Sequence, residues 1–421
     1  MKVELILSLI FRSGMVVCNF LAVAVLSKKL GLEDYGYWAA WVSIISWLAI
    51  IEISLGSSFK NYAVNTVKSA SKKLMIEKFS YLNGAVLVLA LVLFLASTAL
   101  FSILDYESKY FEIAKSFIPI YILSLCFTMF TSLSYVLDKG YLSFLQQFIL
   151  IFISVCVFFL YEDIIEEELS LDAVAFIYSV SYLISFSMLA IYWSFQFKAW
   201  LIKLSFRSLE VISELCRMSM KFFMVQLLYI ALFASDRIII SMFSTGEEVS
   251  YYDYPSRILS LMYMVVAVYV SLSWTKVSDI IICKNDILLV AYIKKSMTML
   301  LVLSVAFWPF VIFMDELVSF WVSSDPEFSL VPVAILLFLS VIIQSYGALT
   351  AVMFNASGKV MSQVYVTIFS IFAKCIIFLT CFWGFGYQSY ISAAVSTMLA
   401  LLIWSVYSTV RLNNRKEWLY A

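Results

Sequence analysis

The chain has 421 residues, of which 63% are hydrophobic and 13% charged, and its mean hydropathy is +0.97. Soluble domains run closer to half apolar and a quarter charged, so a soluble globular enzyme is excluded. Lys+Arg and Asp+Glu both number 28 and histidine is absent, which leaves no basic excess for nucleic acid and removes the commonest proton shuttle and metal ligand.

A helix that crosses a bilayer needs about 20 apolar residues. In chain order such stretches fall at 5–26, 37–55, 80–103, 116–137, 141–161 and 173–195, then at 222–243, 251–275, 296–314, 331–354, 361–383 and 389–410. The first run starts almost at Met1, is interrupted by Arg12 and lacks an A-x-A cleavage site, so we expect a retained first helix. The start of 251–275 is polar, with Tyr251, Tyr252, Asp253 and Arg257. The cysteines, among them Cys18, Cys126 and Cys381, fall mostly inside apolar stretches and form no C-x-x-C pair. Neither a disulfide framework nor a metal site is indicated, and no cofactor is expected.

Charge tests this count. Lysines and arginines concentrate in alternate connections, such as Lys68, Lys72, Lys73 and Lys78 or Lys203, Arg207, Arg217 and Lys221, while the intervening loops are acidic, as in Glu162–Asp172. A positive-inside reading places both termini in the cytoplasm. Segments 56–78 and 197–221 mix basic and apolar residues and are expected to lie helically at the headgroup level. The expected organisation is an N-terminal six-helix bundle over 1–196, a cytoplasmic amphipathic linker over 197–221, and a C-terminal six-helix bundle with a short cytoplasmic tail over 222–421. A faint duplication supports two halves: Gly31-Leu-Glu-Asp-Tyr-Gly-Tyr37 aligns with Gly246-Glu-Glu-Val-Ser-Tyr-Tyr252, putting Glu33 on Glu248 and Tyr37 on Tyr252.

A charge within an apolar span is costly and needs a partner or a watery cavity. Arg12, Glu52, Asp236, Arg237, Asp253, Arg257 and Lys374 are the candidates. In one reading Arg12, Arg257, Lys374 and Arg237 face a cavity and hold an anion such as a pyrophosphate, Arg through a bidentate fork and Lys as a point charge. In the other, the same charges are ion pairs between helices; Asp253 and Arg257 have (i, i+4) spacing. Asp236, Asp253 and Glu52 are the acids left for ion coupling or pairing. Pro255 favours a kink two residues before Arg257. No G-x-x-x-x-G-K-[ST], H-E-x-x-H or G-x-S-x-G motif is present, so the chain carries none of those catalytic signatures and is not expected to be an enzyme.

Leu30-Gly-Leu-Glu-Asp-Tyr-Gly-Tyr37 with Glu52-Ile-Ser-Leu-Gly56, and Asp236-Arg-Ile-Ile-Ile-Ser241 with Tyr251-Tyr-Asp-Tyr-Pro-Ser-Arg257, resemble bacterial O-antigen flippases of the Wzx type. The second stretch is also similar to a Tyr-Tyr-Ala-Asp-Arg sequence of lipid II flippases that carries a cavity arginine; here Asp253 and Arg257 are not adjacent. The resemblance implies the multidrug/oligosaccharidyl-lipid/polysaccharide exporter superfamily. That means an all-α, MATE-like membrane protein of about 12 transmembrane helices, with two six-helix bundles around a central cavity. It further implies a bacterial inner-membrane flippase that moves undecaprenyl-pyrophosphate-linked O-antigen repeat units to the periplasmic leaflet by ion-coupled alternating access. The partners implied are the lipid-linked oligosaccharide, membrane lipids, an O-antigen polymerase and a chain-length regulator. Two other readings are a multidrug/ion antiporter of the same superfamily and a membrane polysaccharide polymerase. The polymerase is disfavoured by outside loops that are short and poor in arginine.

Overall fold

The computed structural model describes residues 2–69, 72–104, 106–137, 139–197, 202–203, 223–224, 226–283, 286–322, 328–356 and 360–413. Among these residues every regular element is a helix. They are α1 (Lys2–Ser69), α2 (Lys72–Ile103), α3 (Lys109–Val136), α4 (Tyr141–Ile165), α5 (Leu171–Phe197) and α6 (Gln226–Phe233). Then come α7 (Asp236–Phe243), α8 (Gly246–Ile282), α9 (Asp286–Ile312), α10 (Met314–Val322), α11 (Val331–Ala356), α12 (Val360–Leu379), a π-turn at Thr380–Gly384, and α13 (Ser389–Asn413).

Nine of the described helices are long and apolar enough to cross a membrane, and α6 with α7 passes the same test as a bent pair, the geometry of a broken span or a re-entrant loop. The first of the nine holds two predicted spans, because α1 is broken at Gly31, where φ is +77°. Glycine takes that left-handed value without steric cost, so it fits a sharp turn between two spans. Helix α8 is 37 residues long but is not among the nine; its early turns carry Glu247, Glu248, Asp253 and Arg257. With it, every predicted span has a helix. The helix runs through Pro255. The basic segment 56–78 is helical on either side of residues 70–71 and continues the flanking spans. Segment 197–221 lies almost wholly outside the described residues. The chain is a multi-pass membrane protein.

It divides into two compact units, Met1–Leu227 and Leu228–Ala421. In the first, α3 packs against α5, α2 and α1, and α4 against α1 and α5. In the second, α11 packs against α8, α13 and α9, and α13 against α12 and α7. The usual pattern of a soluble protein is reversed. Leu95, Val302 and Phe369 are more than half exposed, while Ser124, Ser134, Ser143, Ser179, Ser345 and Ser392 are fully buried. Lipid tails are as apolar as leucine, so helix contacts rely on small residues and close approach. Many of these hydroxyls, such as Ser134 to Phe130 O at 2.9 Å, bond back to their own helix and so satisfy their donors in a dry interface, although Ser345 Oγ does not.

Candidate functional site

Helices α6 and α7 meet at a 49° bend across Ala234 and Ser235. An acid in a first helical turn is stabilised by the unpaired N–H groups there, and Asp236 is the first residue of α7. It is buried and holds a carboxylate with three kinds of donor. Tyr252 OH donates to Oδ2 at 2.7 Å, Thr397 Oγ1 lies 2.9 Å from each oxygen, and Lys374 Nζ lies 2.8 Å from Oδ1.

Lys374 comes from α12 and is only 1% exposed. Besides Asp236 it donates to Leu232 O at 2.7 Å and Ser235 Oγ at 3.0 Å, so all three ammonium protons have acceptors. Of the two readings of Lys374, a cavity cation or an ion pair between helices, this placement shows the ion pair. The ammonium closes the helix break, because a polar turn inside an apolar unit needs a donor and a counter-charge more than a cargo does. The pair ties α6, α7, α8, α12 and α13 to one point.

One residue further along α7, Arg237 turns to α8. Its Nε donates to Asp253 Oδ1 at 2.5 Å and its Nη2 to Ser256 Oγ at 2.9 Å. Arg257 Nε donates to the other oxygen, Oδ2, at 2.5 Å. Ser256 donates in turn to the Asp253 carbonyl at 2.8 Å, which fixes the hydroxyl as an acceptor for Arg237. The Asp253 side chain is fully buried, whereas each arginine side chain keeps 24% of its surface exposed. Two guanidinium groups thus share one carboxylate, each with part of its surface on the accessible side. The (i, i+4) pairing was readable from spacing; the bridge from Arg237 was not.

In the first unit Arg12 is exposed on α1, and its guanidinium carbon lies 4.0 Å from the centroid of the Phe144 ring of α4. Among the described residues no carboxylate pairs with it. The side chain of Glu52 lies outside the described residues. The structure therefore pairs Asp236 with Lys374 and, one residue along α7, Arg237 and Arg257 with Asp253, with Arg12 in the other unit.

The glycine-led repeat serves to dock helix ends. Glu33 and Asp34 receive Lys109, the first residue of α3, at 3.5 and 2.5 Å; the same ammonium lies 4.9 Å from the centroid of the Tyr37 ring. Glu248, aligned with Glu33, accepts from Ser389 N at 2.9 Å and Ser389 Oγ at 2.5 Å, and Ser389 begins α13. Each acid meets the first residue of another helix in its own unit. Thr397, Ser235 and Lys109 carried no sequence signal, since a lone Ser or Thr on an apolar helix usually serves packing.

No protein-family profile and no curated protein sequence matches the chain. Solved structures do. An inward-facing multidrug resistance MATE family transporter of the MOP superfamily superposes with a TM-score of 0.74 at 14% identity, covering 96% of each chain. The lipid II flippase MurJ, inward closed, superposes with a TM-score of 0.74 at 16% identity, over 97% of this chain and 87% of that one. A MOP superfamily transporter from Pyrococcus furiosus, whose binding pocket is described as reversed in polarity, gives 0.65 at 14% identity over 98% and 95%. The likeness is one of fold. The chain is an all-α, MATE-like membrane protein.

Proposed function

We propose that the chain is a flippase for a lipid-linked anionic oligosaccharide, specifically an undecaprenyl-pyrophosphate-linked O-antigen repeat unit. It would sit in the bacterial inner membrane with both termini cytoplasmic, exchanging access between the two leaflets on an ion gradient, and hand its cargo to a polymerase and chain-length regulator. The observation that carries this reading is the Arg237–Asp253–Arg257 triad. A guanidinium in an apolar span costs about 2.5–3.5 kcal/mol at the helix centre on insertion scales; an anion in the cargo explains why two are kept side by side, each partly exposed. Arg forks match phosphate oxygens in pairs. Arg12, exposed and paired with no carboxylate among the described residues, adds a cation in the first unit. The likeness to a lipid II flippase supports a lipid-linked cargo.

A drug or ion antiporter is the second reading. It draws on the buried acid Asp236 and on the likeness to a multidrug transporter. Complementation of a deletion strain separates the two. Arg12→Gln and Arg257→Gln, at matched membrane abundance, should each cut surface polysaccharide several-fold. Wild-type polysaccharide from both variants, or drug sensitivity as the only phenotype of the deletion, would reject the flippase.

A further inference from the structure

The arginine pair stands at one end of a longer polar seam between α6–α7 and α8. Ser256, Ser260 and Tyr263 recur at i, i+4 and i+7 of α8, so they share one face. Arg237 of α7 reaches the first of them, with Nη2 2.9 Å from Ser256 Oγ. Tyr229 of α6 reaches the last, the two phenol oxygens lying 3.3 Å apart. Between these crossings stands Ser260, which is exposed. From Arg257 to Tyr263 the helix rises about 9 Å. Beyond it Met264 and Val265 are exposed and apolar, so the polar stretch ends there.

Among the described residues, the hydroxyls of this seam have hydrogen-bonding capacity to spare. Two phenols that face one another spend one O–H on their mutual bond and keep the other. Ser260 donates to the Arg257 carbonyl at 2.7 Å, which leaves its oxygen as an acceptor. The Tyr229 ring packs on Phe233 with centroids 4.5 Å apart, and 46% of Tyr229 remains exposed. Polar groups in an apolar span are costly unless something polar meets them. Cations at one end and uncharged donors and acceptors at the other fit a ligand that is anionic at one end and hydroxylated at the next group.

We propose that Tyr229 and Tyr263, with Ser260, form a sugar subsite beside the arginine pair. The cargo's diphosphate lies on Arg237 and Arg257, and the sugar ring joined to it places adjacent hydroxyls on the phenols and on Ser260. The unspent phenol O–H donates to one sugar hydroxyl, and the Ser260 oxygen accepts from its neighbour. This inference rests on the anion-binding reading above and names the part of that cargo which the same seam would select. The charged forks supply most of the affinity; neutral hydrogen bonds, being weaker, add the preference for a hydroxylated ring.

Calorimetry on the purified full chain in detergent tests the subsite. The probes are farnesyl diphosphate and farnesyl-diphospho sugars bearing glucose, galactose, N-acetylglucosamine or N-acetylgalactosamine. At least one sugar-bearing probe should bind about fivefold tighter than farnesyl diphosphate, the scale of one or two neutral hydrogen bonds. Tyr229→Phe and Tyr263→Phe should each narrow that gap and together abolish it, with farnesyl diphosphate binding and unfolding temperature unchanged. Arg257→Gln should weaken every probe alike. Binding of farnesyl diphosphate with no gap for any sugar overturns the subsite but leaves the anion site standing. A gap that survives in the double variant overturns the assignment to the tyrosines. A preference for dioctanoyl phosphatidylglycerol over dioctanoyl phosphatidic acid, with none among the prenyl diphosphates, gives the seam to a lipid headgroup and overturns the sugar. No binding of any diphosphate overturns the anion reading itself. If the double variant does not fold, the wild-type gap alone still decides the subsite.

Discussion

Lys374 Nζ and Asp236 Oδ1 lie 2.8 Å apart, on α12 and α7, with both side chains buried. Their separation in sequence means that neither helix can leave the second unit without exposing an uncompensated charge to an apolar interior. Removing one partner of a buried pair costs about 3–5 kcal/mol, whereas removing both is often near neutral. Lys374→Met and Asp236→Asn should each lower the thermal unfolding temperature in detergent sharply. The double variant should unfold above either single variant; a double variant that is worse than both would sink this account.

The ion pair at Lys109 should behave in the opposite way. Lys109 and its partners Glu33 and Asp34 are each at least a third exposed, and such pairs contribute roughly 0–1 kcal/mol. Lys109→Met should therefore shift unfolding slightly, with its small effect disappearing at high salt. A shift as large as that of Lys374→Met would show that the docking of α3 depends on this contact.

Gly84 of α2 marks a close backbone approach. A Cβ at this position would lie 2.2 Å from the Lys203 carbonyl oxygen, and Lys203 N donates to Ser80 O at 2.8 Å. Residues 202–203 are thus laid across α2. Gly84→Leu should displace them, at a cost of about 1–3 kcal/mol, and speed cleavage by trypsin after Lys203. Unchanged cleavage would mean residues 202–203 yield without leaving α2.

Arg12 separates function from stability. Its described contact is the Phe144 ring, and an exposed cation–π contact contributes about 0.5–1 kcal/mol. Arg12→Gln should keep near-normal abundance and unfolding temperature while lowering surface polysaccharide. Loss of abundance in parallel with polysaccharide would assign Arg12 a packing role.

Apolar runs and alternating loop charge placed every span in order, because bilayer thickness imposes helix length locally. They did not reveal that span 222–243 is broken. The stretch Leu232–Ile238 reads as one apolar helix with a charged pair, and the break is held by Lys374, more than a hundred residues away. For the same reason the sequence told which charges were costly, but not how they divide: Lys374 to structure, Arg237 and Arg257 to the accessible side. Only Asp253 and Arg257, one helical turn apart, advertised their bond.

Helix α7 has eight residues, which at 1.5 Å each rise about 12 Å, well short of a hydrocarbon layer some 30 Å thick. A rod that short cannot cross alone; where α6 and α7 together make one bent span, the joint at Ala234–Ser235 lies at depth rather than at the water's edge. Exposed to lipid there, its peptide dipoles would be intolerable. The joint therefore dictates which flank of this unit must stay turned away from the acyl chains, whatever else the molecule does during its cycle.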